Sequence, residues 1–269
     1  MDRYLLKNII IVILALVNLF LVASLVMRET VEQSADHRAE EQLVELFAAD
    51  GMTLGEHVVS HDSPLPQVIL MRDEARERAV AEFFLGENLL KEDQGGGTFA
   101  YTGDSGVALF REDGSFDVAG RLSAGDGEEL CEEFCRIFSF DEPVFEPDQN
   151  GSGAASAVYR YGKHAVYNCM VTFHLEQGGV LTVSGMLLPE KGMETAADEK
   201  LLSAFAALTA FQNMRRETGA VVSEILEVLP CYRLQSSSSV PMMLLPNWSI
   251  VTDTAIYYVN CTTGAVTTG

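Results

Sequence analysis

Residues 245–268 read LPNWSIVTDTAIYYVNCTTGAVTT, a stretch in which short apolar segments alternate with turn residues. The apolar segments are rich in β-branched and aromatic residues, which favour strands. Gly264 lies in the last turn, where a hairpin needs a residue that tolerates positive φ. The stretch therefore predicts an antiparallel sheet, with strands at Trp248–Thr252, Ala255–Asn260 and Ala265–Thr268.

Upstream of this stretch, the sequence repeatedly places a helical pattern before Gly-punctuated strand patterns. Apolar residues at spacings of three and four predict helices at 73–85, 126–138 and about 196–215. The alternating and apolar segments between them predict strands at 98–102, 107–111, 115–119, 157–161, 165–175, 180–187 and 222–234. The predicted class is α+β, with mixed or antiparallel sheets and packed helices.

The N-terminal end contains an apolar run of membrane-spanning length. Residues 9–27 carry no charged side chain, and a helix needs about 20 apolar residues to cross the hydrocarbon. Arg3 and Lys7 precede the run, which favours a cytoplasmic N-terminus. Val22-Ala23-Ser24 leaves open a cleavable signal peptide. We expect a single transmembrane anchor in the cell membrane at 9–27, residues 1–8 in the cytoplasm, and an extracytoplasmic body.

The part after the predicted anchor divides into two regions. Residues 28–50 are charged and helix-compatible, so we expect a helical stalk. Residues 51–269 then form the extracytoplasmic α+β region. Its length allows one elongated domain or two subdomains joined near the Gly/Ser-rich segment 150–153.

The charge of the chain excludes some classes of protein. There are 39 Asp and Glu against 18 Lys and Arg, for a net charge of −21. Nucleic-acid binding requires clustered basic residues, so no nucleic-acid partner is expected. The 14 Phe and 8 Tyr argue against a disordered chain. Because residues 29–269 carry nearly all the acidic groups, we expect the charge to keep the body soluble and away from anionic surfaces.

The sequence contains no set of residues that predicts catalysis. The five cysteines include no CxxC pair and are interpreted as core residues, although one disulfide between strands stays open. Gly103–Gly106 resembles the nucleophile loop of trypsin-like proteases but is better interpreted as a turn. Asp113–Asp117 offers too few ligands for calcium. We therefore expect no enzyme, no cofactor and no metal site.

Five segments near the two ends of the chain carry a family resemblance, namely Lys7–Val12, Leu16–Leu21, Leu245–Ile250, Ile256–Asn260 and Thr263–Val266. Together they resemble the YycI (WalI) family, two-component-system regulatory proteins of Gram-positive bacteria. The match covers the two ends clearly and the middle only by layout. The closing residues also resemble peptidase-propeptide (PepSY-type) hairpins, so PepSY-like units are expected.

The resemblance implies a non-enzymatic regulator of a membrane sensor histidine kinase that controls cell-wall metabolism. It implies action with a sister protein, YycH, through transmembrane helix contacts, in a homo- or hetero-oligomer. Asn18, Leu19 and Phe20 would then lie at a helix–helix interface, where an interhelical hydrogen bond from the amide supplies specificity.

A second interpretation assigns the function to the body of the protein. The body would be a PepSY-like binding or inhibitor module for a peptide, a wall fragment or a secreted protease. Trp248, Tyr257 and Tyr258 are the candidate surface contacts in this hypothesis, and packing in the core is the competing explanation of the three aromatic residues.

Overall fold

The structure is a computed structural model. Several predicted features lie outside the residues it describes, namely segment 1–8, the span 9–27 except Leu14, residues 28–42 of the stalk, and the interface residues Asn18, Leu19 and Phe20. The described residues are Leu14, 43–55, 58–60, 62–121, 127–147, 152–176, 179–195, 201–237 and 240–269.

Two of the described helices, α2 (Glu74–Leu85, the second) and α4 (Ala204–Thr218, the fourth), begin and end at residues that satisfy the free polar groups of the helix ends. Asp73 caps the second helix, because its carboxylate accepts hydrogen bonds from the N–H groups of Ala75 and Arg76 at 3.1 Å. Ser203 caps the fourth helix, which therefore begins later than predicted, and Gly219 ends it at φ +71°. The helices are residues 43–49 (α1), Glu74–Leu85 (α2), Gly127–Ile137 (α3) and Ala204–Thr218 (α4).

The strands follow the predicted apolar segments closely, and several are longer than predicted. In the first half of the chain they are Thr53–Leu54 (β1), Val68–Leu70 (β2), Leu90–Gly95 (β3), Thr98–Gly103 (β4), Gly106–Phe110 (β5), Ser115–Gly120 (β6) and Val144–Pro147 (β7). In the second half they are Gly153–Tyr161 (β8), His164–Glu176 (β9), Gly179–Met186 (β10), Gly192–Glu194 (β11), Glu224–Ser237 (β12), Val240–Thr252 (β13), Ile256–Asn260 (β14) and Val266–Thr268 (β15).

All the described strands belong to one continuous sheet. Its main path runs β11-β2-β13-β12-β9-β10-β6-β5-β4-β3, and β14 and β15 extend it beside β13. Most neighbours are antiparallel hairpins, whereas β9 and β1 lie parallel to β12. Strands β7 and β8, on either side of the predicted joint near 150–153, pair with each other.

The predicted fold class, an α+β body behind a single N-terminal transmembrane helix, is wrong. The described chain is mostly β-sheet, because the strand segments after each helix pair across the helices into one sheet rather than forming separate helix–strand units. Within the residues that the structure describes, no helix combines the length and the apolar character needed to cross a membrane.

The long hairpin β12–β13 carries two hydrophobic cores on one face. Met242 and Leu244 belong to the first core, which α2 and α3 cover, and Trp248 and Ile250 belong to the second, which α1 and α4 cover. All four side chains point to the same face because successive strand residues alternate. Phe47 of α1 is fully buried in the second core, so this part of the predicted stalk packs against the body.

The two parts of the sheet meet where β9 lies beside β12, a place that we call the seam. Val166 and Tyr232 pair there in parallel register. Residues 167–169 then form a bulge, because β8 pairs with Val166 and next with Met170. The amide of Asn168 bridges the gap, as its Nδ2 donates to Leu234 O at 2.8 Å and its Oδ1 accepts from Leu234 N at 2.7 Å.

Replacing Asn168 with Asp should weaken the seam. The substitution keeps the size of the side chain but places an oxygen against the carbonyl of Leu234, so one hydrogen bond is lost and a repulsion appears. We expect the free energy of unfolding to fall by about 1–3 kcal/mol in urea titrations. Asn213→Asp, on the exposed side of α4, is the matched control, and equal effects of the two variants would contradict the bridging role.

Candidate ligand-binding cleft

A cleft of about 320 Å³ opens beside the seam, between the β8–β9 hairpin and the face of β12–β14 that none of the described helices covers. We call it the seam cleft. Its volume lies at the lower end of the range for small-ligand sites. The floor is a row of residues directly opposite one another on three strands, in which Leu229 pairs with Ser249 and Ser249 with Tyr258. Leu229 is 43% exposed, so an apolar surface is available at the bottom of the cleft.

The second side of the cleft is the β8–β9 hairpin, whose turn contains Gly162 at φ +61°. Arg160 fixes this turn from within, because its Nη1 donates to the carbonyl of Lys163 at 2.7 Å. The Nε of Arg160 bonds the carboxylate of Asp141. The guanidinium is therefore largely engaged, while the side chain of Lys163 is exposed at the opening.

Two tyrosines form the aromatic part of the cleft. Tyr167, from the bulge in β9, stacks on Tyr258 of β14 with ring centroids 3.6 Å apart and planes 6° apart. Burial raises the pKa of both phenols above the ordinary value, although a hydrogen bond with Thr267 opposes the shift at Tyr167. Both hydroxyls are therefore protonated at neutral pH and can donate hydrogen bonds.

His164 is held as a neutral imidazole at the start of β9. Burial lowers its pKa from the ordinary value, and the charge of Lys163 adds to this effect. Its Nδ1 lies 3.3 Å from the carbonyl oxygen of Pro230 and therefore carries the proton. The neutral ring leaves Nε2 as a hydrogen-bond acceptor.

The structure separates the three aromatic residues that the sequence proposed as surface contacts. Trp248 is fully buried in the second core, where its Nε1 donates to Leu202 O at 2.8 Å. Tyr257 packs on Phe211 of α4 in the same core. Tyr258, the next residue, points to the other face of the sheet and lines the seam cleft. Asn18, Leu19 and Phe20 lie outside the described residues.

For most residues of the cleft, no sequence pattern indicates a place in a binding site. Residues 165–175 were predicted as one uninterrupted strand, and a bulge that turns Tyr167 toward β14 leaves no trace in an apolar pattern. Lys163 and His164 belong to an ordinary hairpin turn when only local sequence is considered. Asp62 and Leu229 reach the cleft from distant parts of the chain, so only the sheet topology brings them to it.

The thiols of the protein lie away from solvent. All five cysteines are buried and free. Burial raises the pKa of Cys131, Cys135 and Cys261 to about 12 and raises those of Cys169 and Cys231 further above the ordinary value. The thiolate, which is the nucleophilic form, is therefore scarce at neutral pH. In the described ranges, no three His, Cys, Asp or Glu side chains are grouped as metal ligands.

Comparison with solved structures finds distant likenesses, of which two are described by their similarity alone. No family model and no curated protein matches the chain. The crystal structure of an uncharacterized protein from Eubacterium rectale ATCC 33656 is similar, with a TM-score of 0.48, 9% identity, and coverage of 80% of this chain and 89% of that one. The Bacillus megaterium YpeB C-terminal domain is similar with a TM-score of 0.34 and 11% identity, over 74% of this chain and 98% of that domain. Neither likeness assigns a function, and membership of the YycI family stays a prediction.

Replacing Trp248 with Phe should affect stability. The smaller ring leaves a gap in the second core and the carbonyl of Leu202 without its donor, so the free energy of unfolding should fall by about 1–3 kcal/mol. Unfolding followed by circular dichroism measures the change. Tyr258→Phe keeps the stacked ring and should change stability by less than about 0.5 kcal/mol. A Trp248→Phe protein as stable as wild type would contradict the buried role.

The lowered pKa of His164 also predicts a pH dependence of stability. The folded state binds the proton less well than the unfolded chain, so protonation favours unfolding once the pH falls below the unfolded value of about 6.5. A fall in pH from about 7 to 5 should therefore lower the free energy of unfolding of the wild type more than that of His164→Gln, which has no imidazole to protonate. Urea titrations across this range measure it, and a difference independent of pH would refute the buried neutral state.

Proposed function

We propose that this protein is a non-enzymatic binding module that holds a short peptide in the seam cleft. The observation that carries the proposal is the convergence, in one cavity of ligand size, of an apolar floor, a stacked tyrosine pair and several charged groups. Ligand sites typically combine a concave apolar surface with a few polar groups that fix orientation.

The hydrogen-bonding groups of the cleft suit a peptide backbone. The hydroxyl of Tyr258 can donate to a carbonyl oxygen, and Nε2 of His164 can accept from an amide N–H. The hydroxyl of Ser249, in the floor, can do either. The floor lies on paired strands, so these groups are held in place before the ligand arrives, which lowers the entropic cost of binding.

The arrangement of His164 supports binding over catalysis. Ser249, His164 and Asp62 line the same cleft, a set of residue types found in hydrolases. However, the carbonyl of Pro230 occupies Nδ1 of the imidazole, the atom that a carboxylate orients and supports in a catalytic triad. The buried thiols offer no alternative nucleophile.

Regulation of a sensor histidine kinase together with a YycH-like partner stays a prediction from the sequence resemblance. The residues assigned to that contact, Asn18, Leu19 and Phe20, lie outside the described residues. A peptide-binding cleft on the body is compatible with such a role and does not depend on it.

Affinity selection from a library of random peptides of two to six residues tests the proposal. The library is incubated with the full chain, bound peptides are identified by mass spectrometry, and their affinities are measured by calorimetry. Leu229→Arg places a long charged side chain on the floor of the cleft and should weaken the selected peptides by about tenfold or more.

Leu226→Arg is the matched control, because Leu226 lies on the same strand, is 49% exposed and does not line the cleft. It should leave peptide affinity unchanged. Failure to select any peptide, or equal loss of affinity in both variants, would refute the proposed function.

A further inference from the structure

Two opposite charges at the seam cleft have no ion-pair partner among the described residues. Arg160 and Asp141 pair with each other, whereas neither Lys163 nor Asp62 forms an ion pair within the part of the chain that the structure describes. Both side chains are exposed and both line the cleft. Each can therefore contact a ligand without first breaking an internal pair.

Asp62 and Lys163 shift the pKa of the same group, the imidazole of His164, in opposite directions. The carboxylate of Asp62 raises the pKa of His164, and the ammonium of Lys163 lowers it. Both charges are thus close enough to the imidazole to affect its proton. Since Asp62, Lys163 and His164 line the same cleft, a ligand beside this ring is exposed to one charge of each sign.

The formal charges of the cleft cancel, although the protein as a whole carries a net charge of −21. Asp62 and Asp141 offset Arg160 and Lys163, and His164 is neutral. A ligand that is only anionic would be repelled by Asp62 and by the field of the whole protein. A ligand that is only cationic is attracted by that field, but it would be repelled by Lys163 and would leave this ammonium group without a partner. A ligand with one charge of each sign, held apart, complements the cleft best.

We propose that the seam cleft binds a zwitterionic ligand that carries an α-ammonium group, an α-carboxylate and an apolar side chain. The ammonium contacts Asp62, the carboxylate contacts Lys163, and the side chain packs on Leu229. This inference rests on the proposed function and narrows its ligand to short peptides with both ends free. A single amino acid carries the same two end groups and is the second source of this chemistry.

The size of the cleft favours a ligand with few residues. A volume of about 320 Å³ leaves little room beyond one or two residues. The stacked faces of Tyr167 and Tyr258 cover each other, so a side chain packs on the exposed Leu229 and on Val158 of β8 rather than between the rings.

Calorimetry with L-leucyl-L-leucine and its blocked forms tests the inference on the full chain. The probes are the free dipeptide, its N-acetyl form, its C-terminal amide, the doubly blocked form and L-leucine. Blocking either end should weaken binding to wild type by about tenfold. In Asp62→Asn, N-acetylation should lower the affinity only slightly, because the partner of the ammonium group is already absent. In Lys163→Gln, amidation of the C-terminus should likewise lower the affinity only slightly, because the partner of the carboxylate is absent.

Asp104→Asn and Lys191→Gln remove exposed charges elsewhere and serve as matched controls, with affinities equal to wild type. The affinities of the free dipeptide and of L-leucine are compared to show whether the cleft prefers a short peptide or a single amino acid. Tighter binding of either one supports the inference. Blocked dipeptides that bind as tightly as the free one would overturn it. No binding by any probe, while longer library peptides bind at the cleft, would also overturn it and leave the proposed function intact.

Discussion

The contact between β9 and β12 is the constraint on which the rest of the structure depends. At this place the backbone register of Val166 with Tyr232 gives way to a bulge, and the side chain of Asn168 replaces the missing backbone pair by bonding both polar groups of Leu234. An amide side chain can do this because it carries one donor and one acceptor in fixed geometry, like a peptide group. Without it, the N–H and C=O groups of Leu234 would lose these partners within the protein.

The same irregularity creates the candidate site. A regular strand would keep β9 flat against its neighbours, whereas the bulge turns Tyr167 out to meet Tyr258. Away from the seam, β9 and β12 separate and leave a space between them. His164 bridges this space only in part, through the contact of its imidazole with the carbonyl oxygen of Pro230. Structural irregularity and a candidate binding surface thus have one physical origin, which is common where bulges lie beside functional sites.

The sequence predicted local structure better than it predicted arrangement. Helices α2 and α3 and most strands lie where hydrophobic periodicity placed them, because that signal comes from residues close together in the chain. The start of α4 was wrong by about two turns, since the cap at Ser203 outweighs the helical pattern before it. The α+β class behind a transmembrane helix was wrong because pairing of distant strands into one sheet has no local signature.

By itself, the sequence determined the charge, the positions of most elements and the alternation that makes Tyr257 and Tyr258 point in opposite directions. Only the tertiary structure decided which of these two faces is covered. Helix α4 packs on the side of Trp248 and Tyr257, so those rings are buried, and Tyr258 remains on the open face. The physical reason is that alternation fixes relative orientation within a strand, whereas burial depends on which distant element packs against each face.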